Sequence, residues 1–344
     1  MDIKPSDLIV FIVGNSRSGT TMLSRILDRN SRIFRFGELH FFEQIWSPGD
    51  ENRALSREQA VGLIRRLMAI HHEGYLEKKT SSCYNDPAAW LLSRMREKGE
   101  SLFAKNIYVW FLRYTAEENG KPIPCEQTPR NLFYLKEIFG IGEGVRCICM
   151  VRDPRDVLLS QKNKWRRRFL GAGRIPLKEA FRSWVNYHPI IISCLWKSSV
   201  KAMAPFLDNP NFRLVRFEEL IGQPEQTVHG LCDFIGVTYG DDMLNVAHLG
   251  SSMESDEPEK RGIKKERTGN WRTGGINRTE EFLLQWITRD QMKNQDYEPV
   301  PVTPNPITLC YYLFSVVIKL LFAFFLNIGR MKNIPDAIRR RMGG

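Results

Sequence analysis

The sequence predicts an α/β protein, a P-loop-like three-layer sandwich around a central parallel sheet, with an apolar helix appended at the C-terminus. Three observations predict it. Residues 8–13 form an unbroken apolar, β-branched run that stops at Gly14, the pattern of a strand buried on both faces. After a glycine-containing loop, Met22, Leu23, Ile26 and Leu27 recur at helical spacing, so the order is strand, loop, helix. The order repeats at residues 145–151, where Arg152-Asp153-Pro154 follows. Asp153 can cap, and Pro154 can start, a helix running through Leu158 and Leu159. Residues 212–217 read as a third strand. Residues 225–235 read as the helix after it, with Val228, Leu231, Phe234 and Ile235 inward. Strands alternating with helices imply an α/β sheet.

Residues 56–71 and 88–113 read as two further helices packed around that sheet or over a cleft. The stretch 297–306 is proline-rich and reads as a linker. The expected division is therefore a domain over 1–296, the linker, and an apolar helix with a basic tail over 307–344.

With 344 residues, 42% of them hydrophobic, the chain can bury the core of one large domain. Fifty Lys and Arg against 39 Asp and Glu give a net charge of +11, which favours an anionic ligand, nucleic acid or an anionic membrane surface without choosing among them. Seven cysteines have no framework spacing, and no basic, then apolar leader opens the chain, so reduced thiols in the cytoplasm are expected.

The loop Gly14-Asn15-Ser16-Arg17-Ser18-Gly19-Thr20-Thr21 has the glycine spacing of a phosphate-binding loop, whose amides and following helix N-terminus hold phosphate oxygens. It departs from the Walker pattern. Thr20 stands where a kinase or ATPase needs Lys, and the cation has moved to Arg17. Arg152 falls at the end of the second strand, the edge at which such sheets bind ligands, and Ser160 lies on the helix that follows. A planar fork and a hydroxyl suit a phosphate dianion.

These two segments resemble the PAPS-dependent sulfotransferases (PAPS, 3′-phosphoadenosine 5′-phosphosulfate), and more the carbohydrate and tyrosyl-protein type than the cytosolic type. The resemblance implies transfer of a sulfonate group from PAPS to a hydroxyl of a carbohydrate, lipid or other acceptor. It implies that Ser18, Gly19, Thr20 and Thr21 hold the 5′-phosphate and that Arg17 stabilises the leaving oxygen. Arg152 and Ser160 would read the 3′-phosphate, with Lys164, one helical turn on, as a third contact. The later segment 265–272 resembles the family's basic, glycine-containing loop over the nucleotide, with Arg267 and Gly269 as its contacts; an ordinary surface loop is the competing reading. Arg166-Arg167-Arg168 reads as an exposed basic patch outside the site.

Transfer to an alcohol requires a group that takes its proton. By the same resemblance, Gly37-Glu38 carries the base, with His40 as runner-up. Glu126-Gln127-Thr128-Pro129-Arg130 looks like the family's segment before a helix, with Thr128 as cap. Many relatives carry Lys where Gln127 stands, so Arg17 suffices or Arg130 or Lys105 substitutes. Cys147 and Cys149 lack a second pair at ligand spacing and read as core residues, as do His71 and His72; no metal is implied.

Residues 309–326 are almost wholly apolar, broken by Ser315 and Lys319, and are followed by Arg330, Lys332 and Arg339-Arg340-Arg341. The length reaches the lower limit for crossing a bilayer. A span would place those basic residues in the cytosol and the domain outside, away from cytosolic PAPS, unless the domain were lumenal. Association from one membrane face is the favoured reading, and soluble packing a third. The alternatives to a sulfotransferase are a P-loop kinase and a non-catalytic basic protein docking on membrane or nucleic acid; the favoured reading expects no nucleic-acid partner.

Overall fold

The computed structural model describes residues 7–76, 81–173, 175–327 and 332–342. The first half of the chain runs β1 (Ile9–Gly14), α1 (Thr20–Asp28), β2 (Ile33–Arg35), α2 (Arg57–Glu73), α3 (Asn85–Glu97), α4 (Ala104–Glu118), β3 (Ile123–Gln127), α5 (Leu135–Phe139) and β4 (Val145–Val151). It continues with α6 (Pro154–Lys162), α7 (Leu177–Val185), α8 (Pro189–Met203), β5 (Phe212–Arg216), α9 (Phe217–Gly222) and α10 (Pro224–Ile235). The short strands β6 (Ala247–His248) and β7 (Glu257–Arg261) form a separate antiparallel ribbon, and α11 (Arg278–Lys293), α12 (Pro306–Asn327) and α13 (Ile334–Met342) close the chain.

The main sheet has the order β2-β3-β1-β4-β5, with every pairing parallel. Alternation along β1 divides the core. Ile9, Phe11 and Val13 join one apolar cluster with α2, α4 and α8, whereas Val10 and Ile12 join the other with α1 and α10. This is the expected three-layer sandwich. Because β1 is fully buried between β3 and β4, its residues must be apolar on both faces, which is why its sequence shows no alternation. Cys147 and Cys149 are buried on the first face.

The strands and helices read from the sequence are present, with three differences. Residues 88–113 form two helices rather than one: the chain breaks where Gly99 takes φ 76° and Leu102 accepts a backbone hydrogen bond from Leu55. Strands β2 and β3 carry short or mixed patterns, Ile-Phe-Arg and Ile-Pro-Cys-Glu-Gln, that periodicity does not flag. The segment Glu126–Gln127, read as a helix approach, thus ends a buried strand. Thr128 makes no capping bond through its side chain to the 3₁₀ turn that follows.

The proline-rich segment lies along the domain: Val300 N–H donates to Gln285, and Asn305 N–H to Thr279. The basic tail is folded back as well. Lys332 pairs with Asp50, Arg340 with Glu137, and Arg341 with Glu43, so these charges are held by the domain's own carboxylates. Arg330 lies outside the described residues.

Candidate active site

The site forms where β1, β3 and β4 end, around a cavity of about 1230 Å³. At the end of β1 a Cβ on Gly14 would sit 2.3 Å from the carbonyl oxygen of Met150 on β4, so only glycine lets the two strands run this close. The loop then bends back through left-handed residues, Arg17 at φ 79° and Gly19 at φ 93°. A Cβ on Gly19 would strike the Phe217 ring at 2.4 Å. The turn delivers Thr20 and Thr21 to the N-terminus of α1, where helix geometry leaves backbone N–H groups without intrahelical acceptors.

Arg17 lines the cavity. Its Nε donates to Ser160 Oγ at 2.9 Å and its Nη2 to the carbonyl of Gly250 at 2.8 Å and to Ser252 Oγ at 3.1 Å. Arg152 donates from Nη2 to the carbonyl of Arg267 at 2.6 Å, lies 3.6 Å from Asp156, and covers the Phe217 ring at 4.3 Å. Asp153 caps α6 by accepting from Arg155 N–H and pairs with the Arg155 side chain, which leaves Arg152 free of it. Arg17, Arg152, Arg167 and Arg267 therefore share one wall of the cavity. Burial, with the charges of Arg167 and Arg152, lowers Arg17 to about 10, and burial lowers Arg267 also. Three buried donors in this region, Ser18 Oγ, Arg152 Nε and Arg267 Nε, have no hydrogen-bond partner. A concentration of buried cations with idle donors suits a ligand carrying more than one phosphate-like group.

Arg167 corrects the expected exposed patch. After α6 the chain tightens into a 3₁₀ turn, Lys164–Phe169, which directs Arg167 inward to Asp256 at 2.7 Å and Arg168 to the carbonyl of Gly173; Arg166 is exposed. Lys164, at the start of the same turn, lines the cavity, and burial with the charges of Arg17 and Arg130 lowers it to about 8, Glu38 acting against them. Gly269, at φ 71°, commits its N–H to Asp156 at 2.8 Å, so its amide is not open to a ligand.

Glu38 also lines the cavity, with a side chain 30% exposed, and the buried His40, which lines it too, has Nε2 3.0 Å from Oε2. Burial would raise the Glu38 carboxyl. The hydrogen bond from His40 and the charges of His40, Lys164 and Arg130 outweigh it and hold the group below its ordinary value. His40 sits at φ 51°, and a single π-helical turn, Phe41–Ile45, follows it. This strained bend is clamped from β3: Glu126, fully buried, accepts from Leu39 N–H, Thr128 and Asn131, while Thr128 Oγ1 accepts from His40 N–H at 3.2 Å. Burial raises Glu126 to about 7. Gln127 donates to Thr20 Oγ1 at 3.2 Å and carries no charge into the site. Lys105 pairs with Glu51 and does not line the cavity, whereas Arg130 lines it but is held by Glu43 at 3.0 Å.

Glu126 and Thr128 were read from the sequence only as part of a helix approach, with no role beside Glu38, and Ser252 was not read at all. The strand that carries Glu126, Ile-Pro-Cys-Glu-Gln, is too short and mixed to signal a buried carboxylate, and nothing in the local pattern marks Ser252.

The sulfotransferase family model matches residues 10–241, which includes both the phosphate loop and the Arg152–Ser160 unit. The chain belongs to the sulfotransferase family. Human Sulfotransferase 2A1 is 24% identical over 224 residues, covering 59% of this chain and 73% of that protein. Among solved structures, the sulfotransferase domain of the curacin biosynthetic pathway has a TM-score of 0.50 at 19% identity, covering 86% of this sulfotransferase and 99% of that domain. The sulfotransferase domain of the Synechococcus PCC 7002 olefin synthase has a TM-score of 0.50 at 18% identity, over 88% and 98% of the two chains. At those identities the structural likeness is one of fold. Membership makes the protein an enzyme that transfers a sulfonate group.

Proposed function

We propose that the donor is PAPS, that the acceptor is a hydroxyl compound of the carbohydrate or lipid kind, and that the product is adenosine 3′,5′-bisphosphate. The observation that carries the donor assignment is the wall of four arginines with idle buried donors on Arg152 and Arg267, beside a loop whose buried Ser18 hydroxyl is also idle. A nucleotide with phosphate groups at both ends of its ribose would use them in two sets. Ser18, Gly19, Thr20 and Thr21 cradle the 5′ end, and Arg152, Ser160 and Arg267 the 3′ end. Gly269 contributes the turn that places Arg267 rather than an amide.

When bound, the donor supplies an activated sulfonate. Glu38 takes the acceptor proton, a new O–S bond forms, and the S–O bond to the 5′-phosphate breaks in line with it. Arg17, released from Ser160 and Ser252, receives the charge that develops on the leaving oxygen, and Lys164 adds the cation that Gln127 lacks. His40 is the positioning residue beside Glu38. The test is calorimetric titration of adenosine 3′,5′-bisphosphate against ADP: a clear preference for the 3′,5′ form is expected, and equal affinity overturns the donor assignment.

The catalytic domain is assigned to 1–296 and the membrane-associating part to 307–344, with the enzyme on the cytoplasmic face. Helix α12 has the length and composition of a membrane-crossing helix. Both of its ends are tied to the same domain, however, by Tyr312 to Glu280 and Asn305 to Thr279 on one side and by Lys332 to Asp50 and Arg340 to Glu137 on the other. A span would carry its ends to opposite faces of a bilayer about 30 Å thick. The tethers support a helix lying in the membrane surface.

A further inference from the structure

Helix α12 is apolar on two opposite faces, and they meet different surroundings. Ile307, Tyr311, Phe314, Ile318, Phe322 and Phe325 recur at three- and four-residue spacing and are each between 57% and 82% exposed. Val316, Leu320, Phe324 and Asn327 recur at the same spacing half a turn away, and these line the catalytic cavity. A helix apolar all round needs cover on every side, and a soluble domain covers one. The helix carries no Asp or Glu, and its Lys319 ammonium is drawn 4.6 Å over the ring of Trp184 on α7. Trp184 joins Phe181 and Leu177 in a second exposed apolar strip on α7, at 54%, 58% and 63% exposure, which meets α12 at Lys319. One apolar surface thus runs from outside the molecule, over a half-exposed Leu320, into the cavity.

The far end of that wall is polar. Asn327 accepts from Arg182 at 2.7 Å and donates to Asn186 at 3.2 Å, and Arg182 is among the cations acting on Lys164, beside Glu38. The cavity of about 1230 Å³ exceeds the usual range for one small ligand and holds a polar half at the phosphate loop and an apolar half against α8 and α12.

Resting on the reading above that PAPS occupies the polar half, we infer that the acceptor is a membrane-resident amphiphile. Its hydroxyl-bearing head reaches Glu38, and its apolar chain lies along α12 between Leu320 and Ile190 of α8. The helix then serves two ends with its two faces: the outer face sits in the bilayer, and the inner face forms the acceptor wall. An acceptor enters laterally from the lipid without its chain crossing water.

The probe is a series of n-alkyl β-glucosides, from butyl to octyl, titrated below their micelle concentrations into full-length protein saturated with adenosine 3′,5′-bisphosphate. Affinity is expected to rise two- to fourfold per added methylene. Leu320→Trp, which narrows the apolar half, should abolish the rise, and Phe322→Asp on the outer face should leave it intact. No binding, a flat chain-length profile, or a rise lost in Phe322→Asp and kept in Leu320→Trp overturns the inference. Bisphosphate binding is measured first on the same sample. Its failure removes the donor reading on which the inference rests, whereas its success with a flat glucoside profile removes the acceptor inference alone.

Discussion

Replacing Arg152 with alanine separates a phosphate reader from a structural cation. In the present geometry the guanidinium spends one strong bond on the carbonyl of Arg267 and a long one, 3.4 Å, on that of Arg17, while its Nε is idle. A 3′-phosphate would take two charge-assisted bonds from it, each worth about 1.5–3 kcal/mol, so binding of the 3′,5′-bisphosphate should weaken on the order of a hundredfold or more. ADP, with both phosphates on the 5′ side, would lose only the longer-range field, roughly 1 kcal/mol or about fivefold. The substitution also strips a cation from Asp156, whose side chain is 1% exposed, but the N–H groups of Gly269 and Trp271 still bond that carboxylate. Titration of both nucleotides into one preparation, with thermal unfolding to check the fold, makes the comparison. Equal losses for the two nucleotides would refute the assignment of Arg152 to the 3′-phosphate.

Three further outcomes are expected. Glu38→Gln should lower turnover by about two to four orders of magnitude with bisphosphate affinity kept, and the wild-type rate should fall only at pH below the ordinary carboxylate value, because the site holds Glu38 ionised; unchanged turnover would remove it as base. Glu126 titrates near 7 folded against 4.5 for an ordinary glutamate, so it favours the fold at low pH and that contribution is lost as pH rises through about 7, a swing of roughly 3 kcal/mol. Glu126→Gln should flatten the stability profile between pH 4.5 and 7, and an unaltered slope in chemical unfolding would place the titration elsewhere. Phe314→Asp with Phe322→Asp should abolish co-sedimentation with anionic vesicles while leaving bisphosphate titration unchanged; vesicle binding that survives both would remove the outer face of α12 as the docking surface.

What could be read from the chain alone was whatever local spacing encodes. Residues 8–13 announce a buried strand because both of its faces need apolar groups, and Gly14 to Thr21 announce a phosphate loop because left-handed turns and a helix N-terminus demand those residues in that order. Spacing placed Arg152 at the end of a strand and Ser160 on the helix after it, while their role as a phosphate pair came from the family resemblance. Tertiary structure decided the rest, because it depends on which distant segments meet. Arg167 turned inward through a 3₁₀ turn that a basic run does not signal. Glu126 became the clamp of the Glu38 loop only once β3 lay beside β1. The apolar C-terminal segment could have been span, anchor or core by composition. Ion pairs from Lys332, Arg340 and Arg341 to Asp50, Glu137 and Glu43, acidic residues some 200 to 300 positions earlier, fold it against the catalytic cavity.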